Sequence, residues 1–130
     1  MQFISKNPRP SDLYECNDCT VRATSIAMKK PYKSIHKVFA KHGRKDRQGV
    51  TLATLIAVLI EVTKNNMQIV ASHAIRRETL ASFIKTHPKG RYVVIKRGHA
   101  FAVIDGVAHD AHSSCCGSRS IVKYAYKVGD

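Results

Sequence analysis

The sequence lacks a long apolar run, since no stretch approaches the roughly 20 consecutive apolar residues that a transmembrane helix needs. The longest candidate, Leu52 to Val62, is too short and contains Glu61. The N-terminus likewise has no apolar segment of the kind that forms the middle of a secretory signal peptide. We therefore expect a cytoplasmic protein that does not interact with a membrane.

Acidic residues are scarce: the 130 residues include 9 Asp and Glu against 22 Lys and Arg, a net charge of +13 with neutral histidines. A charge of this size favours anionic partners such as nucleic acid, acidic protein surfaces or anionic lipid. Basic residues are densest between Lys29 and Arg47, where Asp46 is the one acid. This region is either a solvated surface or a site for an anionic partner. No zinc-finger spacing and no aromatic-rich RNA motif accompanies it.

Cysteines are also few, namely Cys16, Cys19, Cys115 and Cys116. Without a secretion signal, structural disulfides are not expected, and adjacent cysteines bridge each other only with strain. Zinc binding is an open alternative, because Cys16 and Cys19 have the spacing of zinc ligands, and His109 and His112 lie near the second pair in sequence. A redox pair of thioredoxin type would need a strand directly before Cys16, which residues 8–15 do not supply. We predict no metal and no other cofactor.

Helical patterns come first and strand patterns second, which is typical of the α+β class. Residues 1–15 contain Pro8 and Pro10 and are predicted to form an irregular leader to a single domain, residues 1–130. Helices are predicted over residues 19–30, 34–43, 51–64 and 78–86. Strands are predicted over residues 67–71, 91–96, 99–104, 107–111 and 121–128.

A thiol, a histidine and an acid fall at the ends of these elements. Cys19 opens the first helix, and the pKa of a thiol is lowered by a helix N-terminus and by a neighbouring imidazolium. His99 begins a strand and could supply that imidazolium and act as the base. Asp110 follows one hairpin later and could hold the imidazole in orientation; Asp105 and His109 are weaker candidates for that role. The pattern predicts a site with a thiol nucleophile.

The predicted site also has candidate donors for a developing oxyanion. The backbone N–H of Cys19, at the helix start, is the first. The side chain of Asn17, two residues earlier, is the second, unless Asn17 or Asp18 only caps the helix. Arg22, one turn further on, either lies near the thiol or forms a plain salt bridge. The alternative for Cys19 itself is a small buried core residue.

A family resemblance rests on two stretches and on the mostly helical residues between them. The stretches are residues 17–23 (Asn-Asp-Cys-Thr-Val-Arg-Ala) and residues 98–106 (Gly-His-Ala-Phe-Ala-Val-Ile-Asp-Gly), the second followed by His109-Asp110. In this layout the chain resembles papain-like thiol peptidases, most of all their small bacteriocin-leader-peptidase-like branch. The resemblance implies N-terminal helices packed on a C-terminal antiparallel sheet. It also implies Cys19 as nucleophile, His99 as general base and Asp110 as orienting acid.

The chain departs from that family at two positions. Family members usually carry a Gln about six residues before the nucleophile to build the oxyanion hole, and here that position holds Leu13. The residue after the nucleophile, commonly Gly, is Thr20. Asn17 or the Tyr14 hydroxyl would have to take the role of the Gln. The triplet at residues 18–20 is also similar to the NlpC group of cell-wall peptidases, whose Cys–His separation is shorter and less helical.

These features predict a cysteine peptidase-like protein that cleaves a peptide, isopeptide or amide bond through a Cys-His-Asp triad, with a protein or peptide as substrate. The thiolate would attack a carbonyl to give a thioester, which water or an amine then resolves. The alternative is a catalytically inactive binding protein on the same fold. In that case the basic region Lys29–Arg47 would hold nucleic acid or an acidic protein partner.

Overall fold

Four helices and eight strands make up the described part of the chain, residues 1–112 and 116–130, in the computed structural model. The helices are α1 (Cys19–Met28), α2 (Tyr32–Lys41), α3 (Leu52–Val62) and α4 (Leu80–Thr86). The strands are β1 (Phe3–Ser5), β2 (Gln68–Ser72), β3 (Glu78–Thr79), β4 (Arg91–Lys96), β5 (His99–Ile104), β6 (Val107–Asp110), β7 (Ile121–Val122) and β8 (Tyr124–Gly129). The α+β class predicted from the sequence is confirmed.

Six of the strands form one mostly antiparallel sheet, in the order β1-β6-β5-β4-β8-β2, while β3 and β7 form a separate pair. β1 pairs with β6 in parallel, in a register that places Ser5 opposite Asp110. The prediction that residues 1–15 form an irregular leader is therefore wrong for Phe3–Ser5. A three-residue edge strand with mostly exposed side chains has no alternation of apolar and polar residues by which to recognise it.

The large sheet carries helices on both faces, because alternate residues of each strand point to opposite sides. On one face, α1, α2 and α3 share a core with the strands that includes Val21, Ile26, Phe39, Leu59, Val93, Ala102 and Tyr126. On the other face, α4 packs into a second core that includes Leu80, Phe83, Val94, Phe101, Val103 and Ala125. The first core holds α1, and with it Cys19, against the central strands.

Local chemistry sets where the helices begin. The helix predicted from residue 51 is α3, and the Thr51 hydroxyl caps it by accepting a hydrogen bond from the Thr54 N–H at 3.2 Å. α2 begins at Tyr32, two residues before the predicted start at residue 34, because Pro31 before it already has the backbone φ that its ring imposes. α4 begins two residues later than predicted, since β3 forms first. Within the described residues, no helix is both long enough and apolar enough to cross a membrane.

Two hairpins place the histidine and the acid. β4 and β5, the strands predicted over residues 91–96 and 99–104, pair in antiparallel with Lys96 opposite His99. β5 and β6 are joined by the two-residue turn Asp105-Gly106, in which both residues have positive φ, 47° and 78°. Turns of this kind match the twist of antiparallel strands. The predicted closing strand over residues 121–128 is interrupted at Lys123, which separates β7 from β8.

Candidate active site

The structure brings Cys19, His99 and Asp110 together. Cys19 is the first residue of α1, His99 the first residue of β5 and Asp110 the last residue of β6. The His99 imidazole forms one hydrogen bond with the Cys19 thiol and another with the Asp110 carboxylate. The three side chains singled out from the sequence thus form a continuous thiol–imidazole–carboxylate chain.

Strand register explains how Asp110 reaches His99. In the β5–β6 pair, Ala102 lies opposite His109. One step further along, Asp110 falls opposite Phe101. Because His99 and Phe101 lie on the same face of β5, His99 and Asp110 are diagonal neighbours across the two strands. The hydrogen bond joins His99 Nε2 to Asp110 Oδ2, which leaves Nδ1 as the ring nitrogen for the thiol.

The position of Asp110 is fixed on several sides. Its side chain is 4% exposed, and its Oδ1 accepts a hydrogen bond from the Ala111 N–H at 2.7 Å. Its backbone carbonyl accepts a hydrogen bond from the Lys6 N–H at 2.7 Å. The chain around β1, which the sequence did not reveal as a strand, therefore holds the end of the strand that carries the acid.

The two weaker candidates for the orienting acid have other partners. The Asp105 carboxylate accepts a hydrogen bond from the Gly90 N–H at 2.9 Å within the hairpin region. His109 donates from Nδ1 to the Val107 carbonyl at 2.9 Å. Of the three residues considered for this role, Asp110 is the one that contacts the imidazole.

The surroundings of the Cys19 thiol favour the thiolate. Burial raises the pKa of the thiol, but hydrogen bonds from His99 and from the Ala100 backbone N–H act in the opposite direction. The positive charges of His99 and Arg22 add to that effect, and the pKa ends below its ordinary value. The Ala100 N–H is a contribution that no side-chain pattern in the sequence could indicate. A lowered pKa beside positive charges is the condition under which a cysteine thiol becomes a nucleophile.

His99 is correspondingly stabilised as an imidazolium. The hydrogen bonds with Asp110 and then with Cys19 outweigh desolvation and raise the pKa of His99 from 6.5 to about 9. A pKa that is higher in the folded chain than in the unfolded one means that protonated His99 stabilises the fold. That contribution is fully present below about pH 6.5 and is lost as the pH rises through about 9.

Replacing Asp110 by Asn should lower the pKa of His99, because the hydrogen bond with the carboxylate is the largest cause of its elevation. The midpoint of the His99 ring-proton titration, followed by NMR, should fall from about 9 towards the value of an ordinary histidine. The stability advantage of the wild type over Asp110→Asn should be greatest below about pH 6.5 and should decline as the pH rises towards 9. An unchanged midpoint would show that Asp110 does not set the charge of His99.

The start of α1 is open towards the thiol rather than capped by a side chain. Asp18 occupies the N-cap position, as one prediction had it, yet its carboxylate makes no capping hydrogen bond. Instead it accepts a hydrogen bond from the Tyr32 hydroxyl at 2.7 Å and lies 3.4 Å from Arg9 and 3.5 Å from Arg22. Arg22 thus forms the predicted salt bridge while its charge also acts on the thiol. The N–H groups of the first helical turn are left to stabilise negative charge near Cys19.

Asn17 is the second predicted oxyanion donor, and it lies in the wall of the same cleft as Cys19 and His99. Its side-chain amide does not cap α1 but donates a hydrogen bond to the Arg47 carbonyl at 3.1 Å. Tyr14, the other residue considered in place of the family's Gln, has a side chain that is 79% exposed and stacks beneath the Arg47 guanidinium. Asn17 is thus the better placed of the two.

A cleft of about 300 Å³ opens beside the thiol. Apolar side chains form much of its wall, including Val50, Leu52, Leu55, Ile95 and Tyr124. Besides Cys19 and His99 themselves, Lys96 and Lys123 are the charged residues among the described ones that line it. A bound molecule with an apolar group could therefore lie against this wall with a carbonyl next to Cys19.

A buried ion pair, which no pattern in the sequence indicated, lies next to the segment that leads into Cys19. The side chains of Glu15 and Arg44 are each 1% exposed and form two hydrogen bonds of 2.9 Å. Glu15 also accepts hydrogen bonds from the Arg47 N–H at 2.8 Å and from the Cys16 N–H at 3.2 Å. The pair therefore ties the loop after α2 to the segment that leads into Cys19.

The described residues bring together one group of possible metal ligands, and it lacks the character of a zinc centre. Among the described residues, the one group of His, Cys, Asp and Glu ligand atoms close to one another is Glu15, His36 and Asp46. Both Glu15 oxygens there already accept hydrogen bonds from Arg44, so a cation would face a guanidinium. The cysteine alternative includes Cys115, which lies outside the described residues. Another sulfur of that alternative, the Cys19 thiol, is hydrogen-bonded to His99.

The basic region Lys29–Arg47 is only partly available to a partner. Arg44 is buried against Glu15, and Lys41 pairs with Glu61 at 3.0 Å. Most of its other cations are exposed, namely Lys29, Lys30, Lys33, Lys37, Lys45 and Arg47. The region is thus a largely solvated face of α2 and the loop that follows it.

Comparison with known proteins adds nothing to this description. No protein-family model, no curated protein and no solved structure matches the chain. Interpretation of the site therefore depends on its own residues and on their geometry.

Proposed function

We propose that the chain is a papain-like cysteine peptidase or a related thiol hydrolase that cleaves a peptide, isopeptide or amide bond. One observation carries this proposal: the hydrogen-bonded chain from Cys19 through His99 to Asp110, with the thiol at a helix start beside an open cleft. The α+β layout, with three helices packed on an antiparallel sheet, supports the papain-like part of the proposal.

The first half of the reaction acylates the thiol. The Cys19 thiolate attacks the carbonyl carbon of the substrate and forms an S–C bond, while the electron pair of the C=O bond moves to oxygen. As the tetrahedral intermediate collapses, the C–N bond breaks and the His99 imidazolium gives its proton to the leaving amine. The products of this step are an amine, a thioester on Cys19 and a neutral His99.

The second half restores the thiolate. Neutral His99 takes a proton from a water molecule, whose oxygen attacks the thioester carbon. The S–C bond then breaks, releasing the acid and leaving the thiolate beside a protonated His99. Asp110 keeps the ring in one orientation throughout and stabilises its charged form, as its hydrogen bond to Nε2 allows. The net change is the hydrolysis of one amide bond by one water molecule.

Two donors are available for the oxyanion of each intermediate. The backbone N–H of Cys19 belongs to the first turn of α1, where N–H groups have no acceptor within the helix. The Asn17 side chain lies in the same wall of the cleft. Two such donors are the usual means of stabilising a tetrahedral oxyanion in acyl transfer.

A mixture of short peptides that end in an electrophilic vinyl sulfone tests this function. We expect one covalent adduct, located on Cys19 by peptide mass spectrometry, because this thiol combines a lowered pKa with a cleft for the peptide. Peptides with the same side chains and an ordinary amide bond should be hydrolysed by the wild type and not by Cys19→Ser. Cys16→Ser is the matched control, since this exposed thiol lies three positions away and should not matter. Adducts that fall equally on Cys16 and Cys19 would contradict the proposal.

A second candidate function is the binding of an anionic partner without catalysis. The exposed lysines of the region Lys29–Arg47 and the net charge of +13 favour it. Such binding would fall steeply with salt and would survive Cys19→Ala. The positive charge of the chain does not explain why a thiol, an imidazole and a buried carboxylate are joined by hydrogen bonds. We therefore rank hydrolysis above anion binding.

A further inference from the structure

A basic groove adjoins the cleft of the candidate active site. We define it by His73 and the cationic residues Arg77, Lys96, Arg97 and Lys123, which surround a volume of about 400 Å³. Lys96 and Lys123 line both the groove and the cleft, so the two depressions share a wall. Ser120 and Ile121 complete the lining, and none of the described residues that line the groove is acidic.

The backbone beneath the basic groove is fixed by hydrogen bonds. The Lys123 N–H donates to the Ile95 carbonyl at 2.8 Å, and the His73 N–H donates to the Lys123 carbonyl at 2.8 Å. These bonds join the end of β2, the end of β4 and the junction of β7 and β8. The same end of the sheet carries His99, directly after the turn at Arg97-Gly98. Cations held on joined strands next to a nucleophile form a preorganised surface.

The charges of the groove are not neutralised by neighbours. Within the described residues, Arg77, Lys96, Arg97 and Lys123 form no ion pair, whereas Arg44 and Lys41 of the region Lys29–Arg47 are paired with acids. An unneutralised cluster that faces a cleft concentrates the field there and attracts anions. The groove is therefore the basic surface most directly connected with the reactive thiol.

From this geometry we infer that the basic groove binds acidic residues of the peptide substrate, while an apolar residue next to the bond to be cleaved lies in the cleft. The inference rests on the proposed function, because it takes the cleft beside Cys19 as the place of cleavage. Shape and chemistry agree with it: the cleft is lined by apolar side chains such as Val50 and Leu55, and the adjoining groove by cations. Single-stranded nucleic acid is the less suitable occupant, since none of the described residues that line the groove is a Phe, Tyr or Trp on which bases could stack.

Binding to the Cys19→Ala chain measures this preference without turnover. The probes are a fluorescent short peptide with Glu residues on both sides of a central Leu, the same peptide with Gln in place of Glu, and a short oligothymidylate. We expect anisotropy to show at least about tenfold tighter binding of the Glu peptide, with a loss of affinity between about 50 and 200 mM salt. Equal affinities for the Glu and Gln peptides would overturn the inference. Tighter binding of the oligothymidylate would replace the acidic peptide by nucleic acid as the occupant.

Charge reversal locates the binding. Arg77→Glu with Arg97→Glu should weaken the Glu peptide roughly tenfold, since each lost and reversed ion pair counts for a modest factor. Lys33→Glu with Lys37→Glu on α2 is the matched control, because it changes the net charge equally at exposed positions outside the groove. The same weakening in both double variants would mean general attraction and would overturn the inference.

Alkylation of Cys19 in the unmutated chain separates this inference from the proposed function. If the chain binds acidic peptides but Cys19 is inert, the proposed hydrolase function is overturned and the groove stands as a binding site. If Cys19 is reactive but the chain shows no preference for acidic peptides, the proposed role of the groove is overturned and the hydrolase function stands.

Discussion

Replacing His99 by alanine should slow the alkylation of Cys19 by iodoacetamide at pH 6 by roughly tenfold or more, since each unit of thiol pKa changes the thiolate fraction tenfold. His99 donates a hydrogen bond to the thiolate and supplies a positive charge beside it. Without His99, the burial that raises the pKa of Cys19 has fewer opposing contributions. The thiol is then mostly protonated at pH 6 and reacts slowly, because the thiolate is the nucleophile.

The ratio of the two alkylation rates should change with pH in a defined direction. The rate ratio of wild type to His99→Ala should be largest at acidic pH, where the lowered pKa of Cys19 gives the wild type the larger thiolate fraction. It should decline as the pH rises past about 9, where His99 loses its proton and with it the positive charge that lowers the pKa of Cys19. Peptide mass spectrometry resolves Cys19 from Cys16, whose exposed thiol serves as an internal reference.

His109→Ala is the matched control for His99→Ala. His109 lies on the neighbouring strand and is hydrogen-bonded to the Val107 carbonyl rather than to the thiol. Its removal should leave the labelling profile of Cys19 unchanged. Equal rates for the wild type and His99→Ala at pH 6 would show that no thiolate–imidazolium pair exists and would leave the basic surfaces as the place to look for function.

Much of the candidate site was predictable because its residues lie next to short sequence patterns that indicate a helix start or a turn. Cys19 follows polar residues that can begin a helix, and His99 follows a glycine turn in a strand pattern. The turn Asp105-Gly106 is a strong hairpin signal, and its two-residue length fixes which side chains of β5 and β6 share a face. This assignment of side chains to faces is what places Asp110 diagonally from His99. The sequence alone could not show which side chains share a face, because the length of the turn was not known.

The rest of the site depends on long-range pairings that have no periodic pattern. Glu15 and Arg44 are 29 positions apart, and nothing in either neighbourhood predicts that they are buried together. β1 reaches Asp110 from the other end of the chain through three residues. The basic groove likewise forms only when the ends of β2, β4 and β7 meet. The dense charge run at Lys29–Arg47 was visible in the sequence, while this smaller cluster was not.

Replacing Arg44 by methionine should lower the free energy of unfolding by about 3–5 kcal/mol, because it leaves a buried carboxylate without its cation. Arg44 makes both of its 2.9 Å hydrogen bonds to Glu15 where neither side chain is more than 1% exposed. In thermal unfolding the expected loss corresponds to a fall in Tm of roughly 10–20 °C. Lys45→Met is the matched control: it removes the same charge from the next residue, which is exposed, and should stay within about 0.5 kcal/mol of the wild type.

The pH dependence of the Arg44→Met penalty distinguishes an unpaired charge from lost packing. In the wild type, hydrogen bonds from Arg44 outweigh desolvation and, with those from His36 and the Arg47 N–H, hold the pKa of Glu15 far below its usual 4.5. A lowered pKa means that Glu15 contributes stability above about pH 4.5, and that this stability is lost as the pH falls. In Arg44→Met the largest part of that contribution is gone, and protonation of Glu15 removes the buried charge. The difference between the two proteins should therefore be full at pH 7 and should shrink towards about pH 3. A penalty that is constant from pH 7 to about pH 3 would mean that Arg44 acts through packing and not through the charge of Glu15.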